Sequence, residues 1–245
     1  LRLCFMTKAE ILKLIGSSGL PGEVKRYCSG IAGGGLNSSL NTALKKDAAA
    51  VIGNIDKLLD AGSSILALPK EELLFATGFN RKNISPERFE AALAEVRAAA
   101  FLNGEGFTGL KLIGPGMKRT ADISGERAGK KYVFEVCCIQ TTRDLSSVEY
   151  LIDNSGRLRK FGKGPVDYLE LKYDKKVRQM NSSRKEYGCA GGGLIFVTES
   201  YGLPAPVKKP ELEKLARGLY ERKNRPHNIS ICILSGDIGC VFPEW

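Results

Sequence analysis

Through the first third of the chain apolar residues return every three or four positions; in the remainder they more often alternate or run consecutively. The first spacing marks helices with one buried face, the second strands. Thr7 with Glu10 forms a capping-box pattern, which predicts a short helix to about Ile15, stopped by Gly16-Ser-Ser-Gly19. Leu36, Leu40, Leu44, Val51, Ile55, Leu58 and Leu59 form a longer pattern at helical spacing that ends near Gly62. Pro69-Lys-Glu-Glu-Leu-Leu opens a further short helix with proline in its first turn. Residues 1–84 read as a small helical domain, in which no motif points to chemistry.

Ser85-Pro86-Glu87 is a strong helix start, an N-cap followed by proline at the first helical position. The helix carries Phe89, Leu93, Val96, Ala100 and Leu102 and breaks at Gly104 and Gly106. Beyond it the grammar turns to strands at 108–113, 120–124 and 131–139, with a turn at Gly114-Pro-Gly116 and a connection over 124–130. Residues 140–164 read as irregular, with a turn at Asp153-Asn-Ser-Gly156. A helix over 166–187, a strand over 194–198, a helix over 210–222 and a strand over 228–234 complete the chain. Helix, three-strand meander, helix, strand, helix, strand is the order of an α/β domain, a mixed central β-sheet flanked by helices, over 85–245.

Alternation along the third strand puts Lys131, Val133, Glu135, Cys137 and Ile139 on one face, with Tyr132, Phe134, Val136 and Cys138 on the other. Glu135 is then a lone carboxylate among apolar neighbours, costly unless paired, hydrogen-bonded or bound to a cation. It reads either as a partnered core glutamate or as half of a metal site. Asp122, at the neighbouring strand, supplies the second acid, and two such acids are the minimum for holding a hard cation against a phosphate. Gly33-Gly-Gly35 and Gly191-Gly-Gly193 lack the Gly-Lys-Ser/Thr of a phosphate loop, and Gly114-x-Gly116 lacks the third glycine of a dinucleotide fingerprint; all three read as turns. His227, in a loop, has no nucleophile partner at a suggestive spacing.

Size allows a substantial core, in one large domain or two small ones, within 245 residues. No apolar run approaches the roughly 20 residues that span a bilayer, and the first residues are too briefly apolar for a secretory signal, so no membrane partner is expected. Seven cysteines without Cys-x-x-Cys spacing, and a single histidine, argue against structural zinc and for a reducing cytoplasm. The net charge of +10 is concentrated between residues 157 and 185. Arg157, Arg159, Lys160, Lys163, Lys172, Lys175, Lys176, Arg178, Arg184 and Lys185 are opposed there by Asp167, Glu170 and Asp174. Such a run is either a solvated helix face or a surface that meets phosphates.

The helix followed by Leu102-Asn-Gly-Glu-Gly106-Phe107, then Thr-Ala-Asp122-Ile and Tyr-Val-Phe-Glu135-Val, then a basic helix with Lys176-Val-Arg-Gln179 and the strand Gly193-Leu-Ile-Phe-Val197, resembles the PD-(D/E)xK nuclease superfamily. That is the fold of restriction endonucleases and Holliday-junction resolvases, and the similarity spans about residues 85–235. The resemblance implies a restriction-endonuclease-like sheet and hydrolysis of DNA phosphodiesters. It implies Mg²⁺ (or Mn²⁺) held by Asp122 and Glu135, and a helper glutamate on the first helix, for which Glu95 is the best match and Glu90 the second. The basic residues Arg157, Arg159, Lys160, Lys163, Lys175 and Arg178 would meet backbone phosphates, and a homo-oligomer is left open.

Cys137 departs from the pattern by standing where the family has lysine, and a neutral thiol offers the phosphate no positive charge. Lys131 shares the face but lies roughly 13 Å along the strand. Either a lysine from the next helix, Lys172 or Lys176, reaches the site, or the fold is catalytically impaired and only binds nucleic acid or protein. An unrelated α/β enzyme using the strand glutamate as a general base is the further alternative.

Overall fold

A computed structural model describes residues 6–34, 39–79, 86–114, 121–139, 165–198, 208–236 and 238–245. Arg157, Arg159, Lys160 and Lys163 lie outside the described residues, as do Ser85, Gly116, Thr120 and the expected turn at 153–156.

The N-terminal part is helical: α1 (Lys8–Ser17), α2 (Gly22–Gly34), α3 (Ser39–Leu66) and the single turn α4 (Leu73–Ala76). The expected capping box opens α1, with the Glu10 amide donating to Thr7 Oγ1 and the Thr7 amide to the Glu10 carboxylate. The helix expected to end near Gly62 runs on to Leu66. Its helix breaks once, at Asp47, whose Oδ1 accepts the Ala50 amide at 3.0 Å and so caps the second segment. Pro69 precedes α4 instead of opening it, though its carbonyl accepts the Leu73 amide.

Helix α5 (Pro86–Gly104) leads into the meander β1 (Thr108–Leu112), β2 (Ile123–Arg127) and β3 (Lys130–Ile139). Then follow α6 (Pro165–Glu186), β4 (Gly191–Thr198), α7 (Lys209–Arg222), β5 (Ile229–Ser235) and β6 (Ile238–Phe242). The six strands form one sheet in chain order, antiparallel in β1–β2–β3, parallel in β3–β4–β5, and antiparallel again at β6. The chain is thus mixed α/β, with a six-stranded mixed sheet flanked by helices.

The sheet separates two sets of buried side chains. Phe134, Val136, Ile195, Val197, Cys232 and Leu234 pack under α5, and their core runs without a break into α1–α4, so the 1–84 and 85–245 segments share it. Val133, Cys137, Leu194, Phe196, Ile231 and Ile233 pack under Leu169, Tyr173 and Met180 of α6 and Leu212, Ala216 and Leu219 of α7. Because β4 is covered on both faces, its apolar residues are consecutive, and each of Leu194–Val197 contributes about 1.5–3 kcal/mol by burial.

Three expectations are corrected. The 124–130 segment is strand and turn, not a loose connection: Ala128 and Gly129, both at positive φ, close a two-residue hairpin that extends β2 to Arg127. Gly191-Gly-Gly193 is the start of β4, not a turn; a Cβ on Gly193 would sit 2.7 Å from the Trp245 ring, and one on Gly192 2.8 Å from the Val133 carbonyl. Gly33 and Gly34 are the last residues of α2. Strand β6 is an addition, and Trp245 beyond it packs edge-on against Phe107 and Phe134. Among the described residues, no helix is long and apolar enough to cross a membrane.

Candidate functional site

The strand pairing from Ile123–Phe134 to Arg127–Lys130, continued one step, would set Asp122 opposite Glu135. At that step the ladder leaves register. The Asp122 amide donates instead to the Phe134 carbonyl at 2.9 Å, while the Asp122 carbonyl accepts from Ile113 at 2.8 Å. The carboxylate then takes over a backbone role: Oδ2 accepts the Val136 amide at 2.7 Å. Asp122 is anchored on β3 beside Glu135, and the two carboxyl groups are close enough to share a hydrogen bond.

Glu135 lies in mid-strand with its side chain fully buried. Lys176 Nζ donates to its Oε1, whereas Oε2 is buried without a donor. Lys176 comes from α6, and its position there follows from helical periodicity. Among its residues from 169 onward, Leu169, Tyr173, Met180 and Ser183 are buried, at spacings that place 176 on the same stripe. A lysine in this core-facing position is aimed at the sheet, where it pairs with Glu135; Lys172 lies one turn earlier on α6. Ser183 Oγ fastens the helix to the site by accepting the Ala121 amide at 2.8 Å.

Glu95, on α5, is the third acid. Burial pushes its carboxyl well above the usual range, and the charges on Asp122 and Glu135 add to this while Lys176 opposes it. Burial likewise raises Glu135, to about 8, with the Asp122 charge adding and Lys176 opposing. Asp122 is raised by burial, against the Lys176 charge and the Val136 hydrogen bond. For Lys176, burial alone would lower the ammonium, but Glu135 and Asp122 outweigh it and raise it. Glu135, which Lys176 reaches, and Cys137 stand on one face of β3, two residues apart. The structure therefore brings together Asp122, Glu135, Lys176 and Glu95. Glu90 is buried in α5 as well.

Burial lets the three acids keep protons, and one Glu135 oxygen lacks a partner; a divalent cation would stabilise the ionised carboxylates that one lysine cannot neutralise. Among the described residues, no group of three or more His, Cys, Asp and Glu side chains forms a ready-made metal cage. Two carboxylates are instead the open donor set that suits Mg²⁺, which keeps waters and takes phosphate oxygens as further ligands.

The remaining candidates lie apart from this cluster. Lys175 and Arg178 are exposed on the outer side of α6, and His227 is exposed in a turn. Sequence reasoning missed Ser183, whose place on the α6 stripe was the available signal. Comparison of the chain with protein-family models, with curated proteins and with solved structures finds no match.

Proposed function

We propose that this chain is a metal-dependent nuclease of restriction-endonuclease-like type, hydrolysing DNA phosphodiesters. One observation carries the reading: the Asp122 and Glu135 carboxyl groups lie together at β3, and the Lys176 amine donates to Glu135. The order α5, β1–β2–β3, α6, β4 supports it, since it is the order the family resemblance implies.

Asp122 and Glu135 would hold one or two Mg²⁺ or Mn²⁺, and the nearby Glu95 charge would tune them. When bound, such an ion supplies Lewis-acid polarisation of the phosphate and acidifies a water. In hydrolysis the water oxygen bonds to phosphorus, the P–O ester bond breaks, and the departing oxygen is protonated. Lys176 is free to move from Glu135 toward the phosphate once a cation takes its place, and its charge would steady the negative charge developing there. Lys175 and Arg178 would add salt-dependent, sequence-independent backbone contacts.

The test is incubation of plasmid and linear DNA with Mg²⁺ or Mn²⁺, beside Asp122→Ala and Glu135→Ala. Loss of cutting in both variants supports the assignment, and cutting that survives both sinks it. A second reading draws on the Lys176–Glu135 ion pair itself, which neutralises one ligand internally. It is a fold of the same kind that binds nucleic acid or protein without cutting. Salt-dependent DNA binding without hydrolysis under either metal would select it.

A further inference from the structure

On the sheet face that carries Glu135, a groove of about 400 Å³ runs between the β1–β2 edge and the end of α6. Lys111, Lys131, Glu126, Tyr187 and Cys189 line it. One end of it adjoins the site: Ile113, in the lining, donates its amide to the Asp122 carbonyl. Lys131 and Glu135 share the α6 side of β3, four residues apart, roughly 13 Å. A stacked nucleic-acid strand advances ~3.4 Å per nucleotide, so about four nucleotides cover that distance.

Tyr187 is presented by the way α6 ends. Gly188, at φ 62°, sends its amide to the Lys185 carbonyl, and Cys189 sends its amide to Arg184. This is a Schellman stop, which needs the left-handed residue that glycine supplies. It leaves Tyr187 at the lip with 43% of its surface exposed, one of two large hydrophobic residues so exposed among those described. Two lysines against one glutamate give the groove the sign that suits a phosphate backbone. An exposed aromatic ring between them adds a stacking platform. Only an unpaired base can offer its face to such a ring; bases inside a duplex are already stacked on both sides.

We propose that this groove holds an unpaired stretch of the nucleic-acid strand next to the scissile phosphate, with a base stacked on Tyr187 and phosphates on Lys111 and Lys131. The inference rests on the nuclease reading and names its substrate class, a strand single-stranded beside the cut. The test measures binding of a fluorescein-labelled oligothymidylate, and of the same strand in a blunt duplex, with EDTA present. Tyr187→Ala is expected to weaken single-strand binding about tenfold or more, leave duplex binding unchanged, and be rescued by Tyr187→Phe. Unchanged single-strand affinity, or equal loss on both probes, would overturn the proposal. In the wild-type protein the oligonucleotide should also slow alkylation of Cys189 but not of half-buried Cys138; equal rates at Cys189 with and without it count against the groove. Cleavage with Mg²⁺ is scored separately. A Tyr187-dependent single-strand binder that does not cut keeps the groove and loses the nuclease, whereas cutting without dependence on Tyr187 does the reverse.

Discussion

Lys176 reaches Glu135 from 41 residues further along the chain, so the positive charge beside this strand glutamate comes from α6 and not from β3 itself. Under the proposed function, Lys176→Met lowers the rate of DNA cleavage about 10²–10³-fold, the usual effect of removing one preorganised charge-stabilising group. Moving the amine back to the strand should recover part of the loss. Cys137→Lys added to Lys176→Met is expected to cut faster than Lys176→Met alone, read as initial rates on plasmid DNA. No recovery would mean that Lys176 serves the fold and not the phosphate.

Stability should depend on pH in a definite direction. Glu135 titrates at about 8 in the folded protein against 4.5 ordinarily, so between those values the folded chain keeps a proton that the unfolded chain has released. Unfolding free energy therefore falls as pH rises through that window. Asp122 and Glu95 are shifted the same way by burial. Melting in EDTA is expected at a lower temperature at about pH 8 than at about pH 5. A flat profile would contradict the buried acid cluster.

Divalent cations should act most strongly where those protons have left. Mg²⁺ or Mn²⁺ is expected to raise the melting temperature more at about pH 8 than at about pH 5, since ion and proton compete for the same oxygens. Asp122→Asn should remove that response. It should also stabilise the metal-free protein at the higher pH by about 1 kcal/mol, near 2–4 °C for a domain of this size, because an amide oxygen can still accept the Val136 amide without adding charge. Melting curves with and without metal decide it.

Gly193 offers a test of the packing that supports β3. Its absent Cβ leaves room for the Trp245 ring on one side and Phe134 on the other. Gly193→Ala should cost about 1–3 kcal/mol by overpacking. The same change should cost at least about 0.5 kcal/mol less when Trp245 is already leucine. Denaturant unfolding of the four proteins in this cycle measures the coupling.

The α/β order, the two faces of β3 and the acids Asp122 and Glu135 were legible because strand alternation and a charge among apolar neighbours are local signals. Lys176 was legible as one of two lysines; what singles it out is its ion pair with Glu135, which depends on how α6 lies on the sheet. Other features depend on distant partners. Gly191-Gly-Gly193 resembles a turn until Tyr132, Met180 and Trp245 are seen to occupy the space beside it. The end of β2 depends on a hairpin turn whose Ala-Gly residues carry a weaker signal than Asn-Gly.

That hairpin has a consequence for how the site can be lost. The Ala128-Gly129 turn sets the count of residues between the two acids, and a strand exchanges sides at every residue. One residue inserted in β2 between Ile123 and Arg127 would carry the Asp122 carboxylate to the other side of the sheet. Every acid, the lysine and the strands themselves would remain. What makes these residues a site is therefore a length as much as a set of side chains, and a chain could keep the whole set while an insertion silenced it.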